Sequence, residues 1–150
     1  MRRRVCLAVV AIASVVGVSP LGVAGATTSA TPTSSCVVRI TALGFHPRHV
    51  DSGGSSVVRL TAQNCTPRVQ HATLTWLGRF VGATPGIPPG CPAIDPVAEA
   101  AHFAPHGEFR TRLGFVVFSS CTATALAETA RLTGANGTVL AERTVDLLIS

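Results

Sequence analysis

From residue 36 onward, short apolar stretches alternate with turn signals, which is the pattern of a β-sandwich. The seven predicted strands are 36–43, 56–64, 70–80, 99–104, 109–118, 122–132 and 138–149. We therefore predict an all-β fold, a single seven-strand sandwich that occupies residues 36–150.

Three of these strands alternate apolar and polar residues, so that one face of each should lie in the core. The inward residues are Val58, Leu60 and Ala62 in the second strand, Ala72, Leu74 and Trp76 in the third, and Phe109, Leu113, Phe115 and Val117 in the fifth. A tryptophan on the third strand of such a sandwich is typically at the centre of the core. We therefore expect Trp76 to be buried and not to be a ligand platform.

The last two strands are less regular. The sixth, 122–132, contains a sequence that could also begin a helix capped by Thr122. A strand is favoured because Asn136-Gly137 then forms the turn between two segments of matching length. The seventh strand loses its alternation near Arg143, where we predict a β-bulge.

The amino terminus resembles a cleavable export signal. Three arginines precede an apolar run from Val5 to Val18, and Ala24-Gly25-Ala26 fits a signal-peptidase site. The prediction is a signal peptide over 1–26, a flexible Thr/Ser/Pro-rich leader over 27–35 and a secreted domain without a membrane span. Cleavage removes three of the twelve basic residues and leaves nine against seven acids. A net charge of about +2 no longer favours nucleic-acid binding.

A resemblance to a family rests on the segment Leu43 to Val50, on Gly53-Gly54 and on Asn64-Cys65. These residues resemble the F-x-P-x-x-V…G…N opening of bacterial extracellular immunoglobulin-like modules of the CARDB and fibronectin III-like kind. The segment Gly137 to Leu140 resembles the last hairpin of those modules, and the whole chain resembles small secreted actinobacterial proteins. The resemblance implies that the seven-strand sandwich is immunoglobulin-like and that it is a non-catalytic adhesion, spacer or binding domain, and it carries over no functional residue.

Four cysteines remain after the predicted cleavage, which in an exported domain indicates disulfides. Sequence spacing alone allows three pairings. In the proposed sandwich, Cys36 and Cys65 lie at one end, and Cys91 and Cys121 lie at the other. The topology therefore predicts Cys36–Cys65 and Cys91–Cys121.

No catalytic or metal-binding motif is present in the sequence. It has no G-x-S-x-G motif, no C-x-x-C pair and no close pair of acids. Two histidine pairs, His46 with His49 and His102 with His106, are interpreted as exposed polar residues. We expect no enzyme activity, no metal and no cofactor.

Two binding functions are compatible with this pattern. Alternation turns Arg39, Arg59, Arg110 and Arg112 outward. In immunoglobulin-like topology the first, second and fifth strands share one sheet, so these four arginines should lie on one outer face. Arginine suits phosphate and carboxylate groups, so the leading hypothesis is a binding or structural module at the cell envelope. Its partner would be an anionic envelope polymer or another extracellular protein.

In the leading hypothesis, three acids, Glu128, Glu142 and Asp146, belong to the opposite sheet and would make the molecule polarised. The alternative is a small-ligand carrier with a cleft beside the Pro/Gly-rich segment 81–96, whose apolar residues include Ile87 and Ile94. An apolar pocket beside that segment would favour the carrier.

Overall fold

The computed structural model describes residues 36–82 and 86–150. Within these ranges the chain is all-β and forms eight strands. They are β1 (Val38–His46), β2 (His49–Val50), β3 (Ser55–Asn64), β4 (Gln70–Val81), β5 (Val97–Phe103), β6 (Glu108–Val116), β7 (Ala125–Gly134) and β8 (Val139–Ile149). The predicted number of seven is therefore wrong by one. The strand that was missed, β2, is two residues long, too short for any alternation to indicate it.

The strands form two sheets. One contains three strands in the order β1-β3-β6, and the other contains five in the order β2-β8-β7-β4-β5. The first, second and fifth predicted strands thus share a sheet, as expected. All neighbours are antiparallel except β2 and β8, because the chain crosses between the sheets after β1 and adds β2 parallel to β8.

The sixth predicted strand is extended and not helical. As β7, it pairs with β4 along one edge and with β8 along the other. The predicted bulge in the last strand is present but lies at Leu140, where the register with β7 shifts, and not at Arg143. Beyond Leu140 the strand alternates regularly, so Arg143 lies on the same side as the buried Leu147 and Ile149.

The core lies between the two sheets and contains the predicted inward residues of β3 and β4. Val58, Leu60 and Leu74 are fully buried, and Trp76 is only 2% exposed. The predicted inward residues of β6 are only half-buried, apart from Val117 just after it, because β6 is an edge strand. The prediction that Trp76 belongs to the core is confirmed.

Two disulfides are present, one that joins the start of β1 to the end of β3 and one that joins the β4–β5 and β6–β7 connections. Cys36 is bonded to Cys65 with 5.7 Å between the Cα atoms, and Cys91 is bonded to Cys121 with 4.2 Å between them. This is the pairing that the topology predicts. Disulfides are typical of proteins that fold in an oxidising compartment.

Peptide mapping of the protein under non-reducing conditions is expected to recover Cys36 linked to Cys65, and Cys91 linked to Cys121. The reason is that each pair lies at one end of the sandwich, within disulfide distance. The same digest after reduction provides the control. A peptide that links Cys36 to Cys91 or to Cys121 would contradict both the pairing and the strand topology.

The predicted signal peptide (1–26) and leader (27–35) lie outside the described residues. Within 36–82 and 86–150, the chain has no helix with the length and apolar character needed to cross a membrane.

Candidate functional site

The outer face of the three-stranded sheet carries the four predicted arginines. β3 is the central strand, and across it Arg59 pairs with Arg112 of β6, while Arg110 lies one pair further along, opposite Thr61. Arg39 of β1 pairs with Gln63 at the far end of the same face. We call these four residues the arginine face.

Two members of the arginine face already have partners. The guanidinium of Arg110 donates to Glu108 at 2.6 and 3.1 Å, and that of Arg39 donates to Gln63 at 2.6 and 3.2 Å. These two side chains are therefore less available to bind a partner molecule than arginines without such contacts.

Arg59 and Arg112 differ from the other two. They lie directly opposite each other on neighbouring strands, both are exposed, and neither forms an ion pair within the described chain. Side chains at such positions have Cβ atoms about 5 Å apart, so two like charges there destabilise the strand pair. A bound anion would remove that repulsion.

The surface around Arg59 is open because glycines flank it. Gly44 of β1 is its neighbour on the other side, and a Cβ placed there would approach no atom closer than the His46 ring nitrogen at 4.0 Å. Gly114, next to Arg112 on the same face, has nothing within 4 Å of such a Cβ. An elongated partner could therefore reach both guanidinium groups without displacing a side chain.

A fifth arginine, Arg143, was not predicted to belong here. It lines a shallow concavity of about 530 Å³ together with Arg59 and His46, while Arg59, Arg110 and Arg112 line a second one of about 450 Å³. Arg143 reaches the first because β8 lies against β1 at the open side of the sandwich. No pattern in the sequence indicated this, since the position of the bulge at Leu140 determines which way Arg143 points.

The three acids predicted for the opposite sheet do lie on it, in β7 and β8, but one of them cannot contribute charge to its surface. Glu142 forms an ion pair with Arg131, and Asp146 is exposed. Glu128 is completely buried instead. Its neighbours on alternate positions of β7, Leu126 and Ala130, are buried on the same side, so the period of the strand places Glu128 inward.

A cleft lies beside the Pro/Gly-rich segment. β5 pairs with β4 only as far as Val97 opposite Trp76, whereas β4 continues to Val81. The segment 86–96 lies alongside the uncovered part of β4 and encloses about 440 Å³. The cleft is lined by Gly78, Arg79, Phe80, Gly86, Ile87, Pro92, Ala93, Ile94 and Asp95. The pocket that would favour a carrier is therefore present.

Glu128 lies immediately behind the wall of this cleft. A Cβ built on Gly78 would meet Glu128 Oε2 at 2.8 Å and Ile94 Cγ2 also at 2.8 Å, so the carboxylate and Ile94 meet over the glycine. Neither carboxylate oxygen has a hydrogen-bond partner among the described residues. Burial raises the pKa of Glu128 from 4.5 to about 7, and a backbone contact from Leu77 that falls outside hydrogen-bonding geometry opposes that shift only in part.

The histidines form no metal site in the described residues. His46, His49, His102 and His106 are exposed, and no group of three His, Cys, Asp or Glu residues could hold an ion there. One pair was not predicted: His71 and His102, on neighbouring strands β4 and β5, have their Nδ1 atoms 2.8 Å apart. Two imidazoles that share one hydrogen bond can be explained without a metal.

Comparison with known proteins identifies no family. No protein-family profile and no curated protein matches the chain. Among solved structures, the chain is similar to the Pseudomonas fluorescens alkylpurine DNA glycosylase AlkC bound to DNA with an abasic site analogue. The TM-score is 0.53 and the identity 13%, over 78% of this chain and 31% of that one.

A second similar structure is the cycloisomaltooligosaccharide glucanotransferase of a Paenibacillus species in complex with cycloisomaltoheptaose. The TM-score is 0.53 and the identity 7%, over 75% of this chain and 14% of that one. The chain thus spans less than a third of either protein. At such low identity the similarity shows the fold alone and transfers neither activity.

Proposed function

We propose that the protein is a secreted, non-catalytic binding module that recognises an anionic polymer at or near the cell envelope through the arginine face. The observation that carries the proposal is the pair Arg59 and Arg112, opposite each other, exposed and without an ion-pair partner in the described chain. Two disulfides in a small domain are consistent with work outside the cell.

The chemistry of the surface supports an anion and its shape supports a polymer. Each guanidinium can bind a phosphate or carboxylate with two parallel hydrogen bonds. Arg143 lines the same concavity as Arg59 and adds positive charge beside the central pair, whereas the charge of Arg110 is offset by Glu108. The shallow, open surface beside Gly44 and Gly114 suits an extended chain with repeated charges better than a compact ligand.

We also propose that the domain is an immunoglobulin-like module of the CARDB or fibronectin III-like kind. The grouping of β1, β3 and β6 in one sheet and of β4, β7 and β8 in the other supports this assignment. β5 departs from the constant-type immunoglobulin domain, because it extends the sheet of β4 and not that of β6. The short parallel strand β2 is a further departure.

The test is charge reversal of the central pair. The double variant Arg59→Glu with Arg112→Glu is expected to bind long-chain polyphosphate at least tenfold more weakly than the unchanged protein, because two fork-shaped donors become repulsive charges. Dissociation constants at about 20 mM and about 150 mM NaCl would be measured by calorimetry. Binding by the unchanged protein should weaken with salt, since exposed charges are screened within about 8–10 Å.

The matched control is Arg48→Glu with Arg68→Glu. It changes the net charge equally at two exposed arginines outside the arginine face. Polygalacturonate in place of polyphosphate tests whether carboxylate polymers are also bound. An equal loss in the control pair, or no binding of either polymer by the unchanged protein at low salt, would refute the proposal.

A second function, a small-ligand carrier, is supported by a separate observation, the cleft of about 440 Å³ between β4 and the segment 86–96. Its walls are largely apolar, with Phe80, Ile87 and Ile94 among them, and its volume lies within the usual range for small-molecule sites. The two functions use different sheets and do not exclude each other.

A further inference from the structure

Glu128 stands out among the buried polar residues. Asn64 is also fully buried, but its side chain forms hydrogen bonds with the carbonyl groups of Arg68 and Ala104 and with the backbone amide and hydroxyl of Thr66. Ser56 donates to the Pro47 carbonyl. Glu128 has no such partner in the described residues, and a buried carboxylate without one is costly.

The position of Glu128 connects it with the cleft. Glu128 Oε2 and Ile94 Cγ2 each lie 2.8 Å from the point where a Cβ of Gly78 would stand, and Gly78 and Ile94 both line the cleft. Because Gly78 has no side chain, Ile94 is the side chain next to Glu128 at this part of the cleft wall. A change of the Ile94 rotamer would expose the carboxylate at the base of an apolar pocket.

The segment that forms the outer wall is fixed at one end and less constrained at the other. Cys91 is bonded to Cys121, and the carbonyl groups of Pro89 and Gly90 accept from Thr122 and Ser120. In the described chain, residues 92–96 take part in none of the backbone hydrogen bonds that hold the segment. Ile94 can therefore move while the wall stays in place.

We propose that this cleft binds a small ammonium compound with an apolar body, and that Glu128 is its counter-ion. The inference rests on the carrier function, the second of the two proposed above, and names the ligand class. The apolar body would contact Phe80 and Ile87, and the ammonium would donate hydrogen bonds to the two carboxylate oxygens that otherwise have no partner. Ile94 would move aside on binding.

The surroundings favour a cation over a neutral ligand or an anion. An ionised carboxylate only accepts hydrogen bonds, and an ammonium supplies three donors together with the opposite charge. Asp95 adds a second negative charge at the rim, and Arg79 is the basic residue of the lining. On β8, the residue paired with Glu128 is the apolar Val145, so no charge on that strand competes at this position.

The test compares 2-phenylethylamine with its neutral analogue 2-phenylethanol at pH 7.5, by calorimetry on the disulfide-bonded protein. We expect the amine to bind at least tenfold more tightly than the alcohol. In Glu128→Gln, which keeps the shape of the side chain, the amine should lose that advantage while the alcohol is unaffected. Glu142→Gln, an exposed glutamate on β8, is the matched control and should bind the amine as the unchanged protein does.

A second measurement needs no variant. The ¹³C signal of the Glu128 carboxyl, followed at pH 6 while the amine is added, is expected to move to the value of an ionised carboxylate. If Glu128→Gln does not fold, this measurement on the unchanged protein tests by itself whether Glu128 is the counter-ion of the amine. An unchanged signal at saturating amine would refute the role of Glu128.

The remaining outcomes separate the ligand class from the carrier function. Equal affinity for amine and alcohol would refute the ammonium ligand and leave the carrier function standing. Absence of binding by both compounds would refute both. Amine binding that is retained in Glu128→Gln would place the ligand elsewhere and overturn the inference. The variant Arg59→Glu with Arg112→Glu should bind the amine normally, because it alters the other sheet.

Discussion

Replacement of Trp76 by alanine is expected to lower the free energy of unfolding by about 3–5 kcal/mol, the usual cost of deleting a buried aromatic side chain. Trp76 is one of the largest fully buried residues and lies at the centre of β4, between β5 and β7. Urea denaturation of the disulfide-bonded protein, followed by circular dichroism, would measure the change. For a domain with about 5–15 kcal/mol of stability, this is a large fraction.

The polar end of Trp76 allows a matched control. The indole nitrogen donates to Glu99 Oε1 at 3.1 Å, and the hydroxyl of Thr111 donates to the same atom at 3.0 Å. Trp76→Phe keeps most of the ring but removes one of these donors, so a smaller loss of about 1–2 kcal/mol is expected. A loss near zero in Trp76→Ala would contradict the burial of the indole and return Trp76 to the candidates for ligand binding.

The stability of the protein is expected to fall by about 3 kcal/mol as the pH rises from 4.5 to 7, through Glu128 alone. In the unfolded chain the group ionises near pH 4.5, but burial raises its pKa in the folded protein to about 7. Between these values only the unfolded state releases the proton, which favours unfolding, and each pKa unit is worth about 1.4 kcal/mol. Below pH 4.5 the contribution is fully present, and above pH 7 it is lost.

The variant Glu128→Gln isolates this effect from the other titrating groups. Its free energy of unfolding, measured by urea denaturation from pH 4 to pH 8, should lack the fall of about 3 kcal/mol between pH 4.5 and pH 7. The free energy of unfolding of the variant minus that of the unchanged protein should therefore increase with pH. Asp146→Asn removes an exposed carboxylate on β8 that forms no ion pair in the described chain, and it should follow the profile of the unchanged protein. If the free energy of unfolding changed with pH in the same way in Glu128→Gln and in the unchanged protein, the pKa of Glu128 in the folded protein would not be raised. That result would contradict the prediction.

Alternation along the strands predicted the parts of the fold in which each strand is regular. The inward residues of β3 and β4, the arginine face and the two disulfides all follow from strands that start and end near the expected positions. The short strand β2 could not be found in this way, because a pair of residues has no period. The orientation of Arg143 depends on a bulge that was predicted near Arg143 itself and lies at Leu140.

A cleft beside the Pro/Gly-rich segment was predicted, whereas the burial of Glu128 behind its wall was not. The cleft exists because β5 begins only at Val97 while β4 runs on to Val81, close to the predicted bounds of these two strands. The burial of Glu128 did have a signal: Leu126, Glu128 and Ala130 lie at alternate positions of one strand. A glutamate is rarely buried without a partner. The prediction therefore placed Glu128 on the surface because of its charge, although alternation with Leu126 and Ala130 indicates the core.

The disulfide between Cys91 and Cys121 also affects how the protein withstands proteases. The residues that it encloses include β5 of one sheet, β6 of the other and the exposed turn between them. A single peptide-bond cleavage between Cys91 and Cys121 leaves two fragments that remain covalently joined through this disulfide. Both sheets therefore keep all their strands after such a nick, and the fragments separate only after reduction.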